Sequence, residues 1–186
     1  MIALYPYQRT ALDALIAALP NTPRVLLQAP TGSGKTVIGA AFASRFKRVL
    51  WIAHRVELLT QAHKALSDAG VPRAGILCGG SKRYDVGAPV LVAMIDSLRR
   101  AELADYDLVV VDEAHRVAAA SYQQVLARFP GVPLLGLSAT PERLDGKGLG
   151  ETFGALVLGP QQRELAGKFL ARPETWTVPG LSLIHI

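Results

Sequence analysis

Apolar positions along the chain follow two rhythms. Between residues 7 and 19, Tyr7, Ala11, Leu12, Leu15, Ile16 and Leu19 recur at helical spacing, and Pro20 breaks the pattern. After it come short runs that are apolar at nearly every position, such as Val25-Leu26-Leu27 and Leu108-Val109-Val110-Val111. These runs predict strands over 24–28, 48–53, 74–77, 89–93, 108–111 and 133–138. Helical spacing returns between them, predicting helices over 35–45, 55–68, 95–101 and 120–128, with a further one over 161–170. A strand that is apolar throughout is covered on both faces, and strands alternating with helices form a parallel sheet. The expected fold class is therefore α/β, with a mostly parallel sheet of about seven strands and helices on both faces. In such folds the loops at the carboxyl ends of the strands carry the site.

The clearest of those loops is Ala29-Pro30-Thr31-Gly32-Ser33-Gly34-Lys35-Thr36, between the strand at 24–28 and the helix from 35. Glycines there let successive backbone N–H groups of Thr31, Gly32, Ser33 and Gly34 converge on one anion. The helix behind adds its own unpaired N–H groups and positive dipole end. Lys35 can reach the β- and γ-phosphates of a nucleotide, and Thr36 offers a hydroxyl to Mg²⁺. Ala29 stands where the strict pattern has glycine, so the match is to a relaxed form. The competing reading is a Gly-rich turn with a surface lysine.

Three other stretches bear on this loop. Asp112-Glu113-Ala114-His115 follows the apolar run 108–111. A carboxylate at a strand end, Asp112, can hold Mg²⁺ beside the phosphates, and Glu113 can position and deprotonate an attacking water. Read without the phosphate loop, the same residues are an acidic helix start. Ser138 and Thr140, in Leu137-Ser138-Ala139-Thr140-Pro141, offer hydroxyls that could bond to the acidic loop, or they mark a strand-to-turn boundary. Gln8, in Tyr5-Pro6-Tyr7-Gln8, has both a donor and an acceptor and can pair two edge atoms of adenine.

Together these stretches resemble the first motor domain of superfamily 2 helicases and nucleic-acid translocases. The resemblance covers about residues 4–170. Tyr5–Gln8 looks like the Q motif, Ala29–Thr36 motif I, Ile52–Leu58 motif Ia, Val90–Leu98 motif Ib, Asp112–His115 a DEAH box and Ser138–Thr140 motif III. With Ala139-Thr140-Pro141-Glu142-Arg143-Leu144-Asp145-Gly146 after it, the pattern is similar to bacterial and phage DNA helicases of the type III restriction-subunit group. Tyr5 and Met94 depart from the residues relatives often carry.

The resemblance implies a RecA-like P-loop NTPase fold with ATP and Mg²⁺ as cofactors. Lys35 and Thr36 would bind phosphate and metal, Asp112 the metal, Gln8 adenine, and Glu113 would be the base. His115, Ser138 and Thr140 would couple ATP state to motion. His54, Arg55, Ser97 and Arg99 would touch a nucleic-acid backbone, DNA with RNA left open. Family members continue into a second RecA-like domain that supplies arginine fingers. On that pattern 1–160 is the ATP-binding domain and 161–186 the start of a connector. The tail 181–186 reads as a scar on a truncated reading frame. The chain alone is then expected to hydrolyse ATP very slowly or not at all, with Arg143 the nearest arginine to the site.

Composition narrows the picture modestly. Lys and Arg number 20 against 15 Asp and Glu, a net charge of +5 that suits a polyanion partner. Cys78 is the one cysteine, so no intrachain disulfide forms, which fits a reducing cytoplasm. No apolar stretch approaches the roughly 20 residues of a membrane span. Three functions compete: a helicase or restriction-enzyme motor, an ATP- and nucleic-acid-binding module without turnover, and a P-loop kinase or other small NTPase. The third lacks a counterpart to the DEAH box paired with Ser138-Ala139-Thr140.

Overall fold

The computed structural model describes residues 3–79, 85, 87–140 and 148–169. Seven parallel strands form one sheet: β1 (Arg24–Gln28), β2 (Val49–Ala53), β3 (Ala74–Leu77), β4 (Val90–Met94), β5 (Leu108–Asp112), β6 (Leu134–Ser138) and β7 (Ala155–Leu158). Their order across the sheet is β3-β4-β2-β5-β6-β1-β7. The helices are α1 (Pro6–Ala18), α2 (Lys35–Ala43), α3 (Val56–Asp68), α4 (Ile95–Leu98), α5 (Ala120–Leu126) and α6 (Gln162–Leu165). A 3₁₀ turn, Ala114–Arg116, follows β5.

Alternation along each strand divides the core in two. Val25, Leu27, Trp51, Val110, Leu135 and Leu137 face α1, α2 and α3, whereas Leu26, Leu50, Ile52, Val109 and Val111 face the side of α4 and α5. Every residue of β2, β5 and β6 is buried. Burying a branched or aromatic side chain contributes about 1.5–3 kcal/mol, so the centre of the sheet is also its most stable part. It is the platform from which the functional loops project. Close approach of α2 to that platform needs Gly39, where a Cβ would lie 2.9 Å from both Trp51 and Leu137.

The predicted strands all form, within a residue at each end. The seventh, β7, is not among the located predictions. It has four residues, only Val157 buried, and sits at the sheet edge beside β1. A half-exposed run of that length carries little apolar signal. The helices expected over 35–45 and 120–128 each end two residues early, and two others stop further short. The helix expected over 95–101 ends at Leu98, where Arg128 donates to the carbonyls of Leu98 and Ala101 and replaces the helical bonds. The one expected over 161–170 ends at Leu165, because Ala166 is extended and Gly167 has φ 75°. Several sequence readings lie outside the described residues: the loop 80–83, the run 141–146 with Arg143, and the connector and tail from 170 onward.

Candidate active site

The sheet order explains why residues far apart in the chain meet. Strands β5, β6 and β1 are adjacent, and all three point the same way. Their carboxyl ends deliver Asp112, Ser138 and the phosphate loop side by side. The Ala29 N–H donates to the Ser138 carbonyl at 3.1 Å, which carries the β1–β6 ladder into the loop.

Within the loop, Gly32 and Gly34 have φ of 81° and 82°, the left-handed region that favours glycine. Gly34 is also sterically fixed, since a Cβ there would lie 2.4 Å from Gln8 Nε2. Ser33 is buried, and its hydroxyl donates to the Pro30 carbonyl at 2.7 Å. Lys35 is 8% exposed, and its ammonium lies folded back across the loop and donates to the carbonyls of Ala29 and Pro30 at 3.0 and 3.2 Å. Burial lowers its pKa, and Glu113 and Asp112 pull the other way. The cleft between the loop, the end of β5 and α3 has a volume of about 550 Å³ and is lined by Lys35, Thr36, Asp112 and Glu113 among others. A groove of about 620 Å³ beside the loop has no titratable group among the described residues of its lining. The chemistry therefore belongs to the first.

Asp112 ends β5 with 3% exposure. Burial first, and repulsion by Glu113 second, push its carboxyl up to about 6. Its Oδ1 accepts the Glu113 N–H at 3.0 Å, while the buried Oδ2 has no hydrogen-bond partner among the described residues. Glu113 holds φ 56° and ψ 56°, a left-handed conformation rare outside glycine. That strain turns the chain sharply from β5 into the 3₁₀ turn. His115 Nδ1 lies 3.2 Å from Glu113 Oε2, so the imidazole can orient the carboxylate.

The structure brings Thr31, Gly32, Gly34, Lys35, Thr36, Asp112 and Glu113 to one cleft. Gln8 stands behind the loop rather than in the open. It is 5% exposed, its Nε2 donates to the Ser33 carbonyl at 3.2 Å, and its Oε1 accepts the Tyr5 N–H at 3.0 Å. Tyr7, which the sequence reading gave no role, donates its hydroxyl to the same Ser33 carbonyl at 3.2 Å. Gly159 is a second such residue. A Cβ there would lie 2.6 Å from the Ala29 Cβ, so Gly159 makes room for the alanine that replaces the usual glycine. Only a contact between the end of β7 and the loop reveals it.

Ser138 is fully buried, and its Oγ accepts the Thr140 N–H at 3.3 Å. Thr140 is exposed. Among the described residues neither hydroxyl bonds to the acidic loop, contrary to the sequence reading; the turn after β6 takes the Ser138 oxygen first. His54 is partly buried, with Nδ1 wholly so and without a hydrogen-bond partner among the described residues. Burial, then Arg116 and Arg55, lower its pKa, which places it beside the DEAH segment. Arg55 is exposed at the start of α3. Exposed Arg99 lines a pocket with Arg100, Arg128 and Asp96, away from the cleft, and Ser97 is half-buried on α4.

Comparison with known proteins agrees with this geometry. A DNA 3'-5' translocase, XPB2, of Sulfurisphaera tokodaii is 31% identical over 177 residues, 92% of this chain and 39% of that protein. The T4 UvsW helicase structure superposes with a TM-score of 0.69 at 23% identity, covering 84% of this chain and 60% of that one. The structure of a nuclease-deletion mutant of the type ISP restriction-modification enzyme LlaGI, in complex with a DNA substrate mimic, gives 0.65 at 17% identity over 86% and 20%. The chain spans about a third of the length of the curated relatives it matches. Residues 1–143 match the family described as "Type III restriction enzyme, res subunit", and the chain belongs to that family, with the RecA-like fold of a superfamily 2 helicase's first domain.

Proposed function

We propose that this chain is the ATP-binding half of a nucleic-acid motor, a helicase or translocase acting on DNA. One observation carries the reading: three adjacent strand ends set a phosphate loop, a buried metal-type carboxylate and a Glu113–His115 pair 3.2 Å apart around one cleft. The residues suit Mg²⁺·ATP. The loop is a cradle that a Cβ at Gly34 would disrupt, and the buried Asp112 carboxylate keeps an oxygen without a donor. When bound, Mg²⁺·ATP would supply the phosphoryl group and a cation to offset its negative charge.

Lys35 is the mobile cation. It leaves the carbonyls of Ala29 and Pro30 for the phosphates, exchanging two neutral acceptors for charged ones. Thr36 and Asp112 would hold the metal. Glu113 accepts a proton from the attacking water, with His115 fixing its orientation. Gln8 and Tyr7 brace the loop through the Ser33 carbonyl, and Gln8 retains one further N–H for adenine. His54, beside the DEAH segment, and exposed Arg55 connect the cleft with a nucleic-acid backbone, and Arg99 adds a second contact. Ser138 and Thr140 act in coupling through the turn they share.

The 186 residues alone should bind ATP and turn it over slowly. Among the described residues no arginine lines the cleft, and a finger contributes about 10³–10⁵ in rate. A partner lobe with such an arginine completes the motor, working in the cytoplasm where DNA and ATP coexist. The test is a fluorescent-nucleotide titration with Mg²⁺. Lys35→Ala should weaken binding by roughly tenfold or more, from the loss of charge-assisted bonds worth roughly 1.5–3 kcal/mol. Equal affinity in both proteins would refute the reading.

A further inference from the structure

The metal-type carboxylate has a neighbour that no motif marks. Trp51 is wholly buried in β2, and its ring packs under α2 where Gly39 makes room. In the β2–β5 ladder Trp51 stands opposite Val110. Alternation puts Asp112, two residues on, on the same face, and such diagonal neighbours are within reach of an aromatic side chain. The Trp51 Nε1–H and Asp112 Oδ2 are both buried, and among the described residues neither has a hydrogen-bond partner. The indole is close enough to favour the charged form of the Asp112 carboxyl, yet the two groups stop short of a hydrogen bond. Unpaired polar atoms are rare in protein interiors, and a donor and an acceptor orphaned side by side more rarely still fail to serve each other.

Carboxylates that bind metals are themselves held by hydrogen bonds, which set their orientation. Asp112 Oδ1 has such a bond, from the Glu113 N–H at 3.0 Å. We infer that Trp51 is the positioning residue for Asp112: its indole N–H closes onto Oδ2 when the carboxylate takes up a divalent cation, fixing rotation of the carboxylate. The inference rests on the reading of Asp112 as a Mg²⁺ ligand. Phenylalanine or leucine at position 51 would fill much of the same core without supplying the donor.

Two measurements on the whole chain test it. The chain has two tryptophans, Trp51 and Trp176, so ¹⁵N-indole NMR in a Trp176→Phe background reports Trp51 alone. The indole proton should stay put when ADP is added and move downfield when Mg²⁺ follows. In the second, Trp51→benzothienylalanine keeps the outline of the ring and replaces N–H by sulfur. Its affinity for ADP without metal should equal wild type, while the tightening by Mg²⁺ falls about tenfold, as for loss of one bond to a charged group. An indole signal that ignores Mg²⁺ in a chain that binds Mg²⁺·ADP would overturn the role of Trp51 alone. So would full tightening in the sulfur variant, or an equal loss with and without metal, which marks packing. A chain that binds no nucleotide in either condition refutes the nucleotide reading, and this inference with it.

Discussion

Asp112→Asn should stabilise the metal-free protein, and the gain should depend on pH. The wild-type carboxyl is raised from 3.8 to about 6, chiefly by burial. A carboxyl raised on folding binds its proton more tightly in the folded state. The contribution of this group to stability is therefore most favourable at low pH and declines as pH rises from about 4 to about 6. At about 1.4 kcal/mol per pH unit of difference, the full cost of the buried charge is about 3 kcal/mol above pH 7. Linkage gives roughly half of that at pH 5 and little at pH 4. Asparagine has the same shape and no charge, so it escapes the cost at every pH. For a chain of this size 1 kcal/mol shifts Tm by about 2–4 °C, so the variant should melt about 6–12 °C higher at pH 8 and nearly level with wild type at pH 4. The assay is thermal denaturation by circular dichroism at pH 4, 5 and 8 with EDTA, repeated with Mg²⁺·ADP. Added Mg²⁺·ADP should stabilise wild type more than the variant, because only the carboxylate holds the cation strongly. A variant that melts below wild type at pH 8 without metal, or a difference independent of pH, would refute the argument that burial of this charge is held in reserve for a cation.

Gln8→Ala removes two hydrogen bonds, from the Gln8 amide to Ser33 and from Tyr5 to the amide, each worth about 0.5–1.5 kcal/mol. Affinity for inorganic tripolyphosphate should fall along with that for ATP, as competition titrations would show; a loss confined to ATP would make Gln8 purely a base reader. Glu113→Gln should keep nucleotide binding and abolish steady-state ATP hydrolysis in any form of the motor that hydrolyses ATP, since the amide accepts no proton; unchanged turnover would remove Glu113 as the base. Gly136→Ala should destabilise the fold by about 1–3 kcal/mol in urea denaturation, because its Cβ would lie 2.4 Å from Phe153 and 2.9 Å from Ala114. Oligonucleotide affinity, measured by fluorescence anisotropy, should drop steeply with salt and ignore sequence, as expected for arginines directed at phosphates; a salt-independent affinity would count against Arg55 and Arg99 as contacts.

The local pattern of residues was enough for the parallel α/β class, six of the seven strands, and the loop, helix start and acidic strand end that build the cleft. That is because a strand buried on both faces must be apolar throughout, and a phosphate loop must have glycine where φ is positive. Lys35, Thr36, Asp112 and Glu113 are legible for the same reason: their chemistry and their position after a strand coincide. What stayed hidden depends on contacts between distant segments. β7 is recognisable only by its pairing with β1, since its own four residues bury one side chain. Gly159 matters only through Ala29, and Tyr7 only through the Ser33 carbonyl. The Gln8 amide, free to pair a base when read along the chain, is engaged with the loop once α1 packs against it. Ser138 turned to its own loop, where its hydroxyl oxygen accepts the Thr140 N–H once the chain bends after β6. Trp51 reads as an ordinary core residue until the β2–β5 register sets it on the face of Asp112. Periodicity and residue chemistry are properties of single segments, whereas register, strand order and orphaned polar atoms exist only when segments meet.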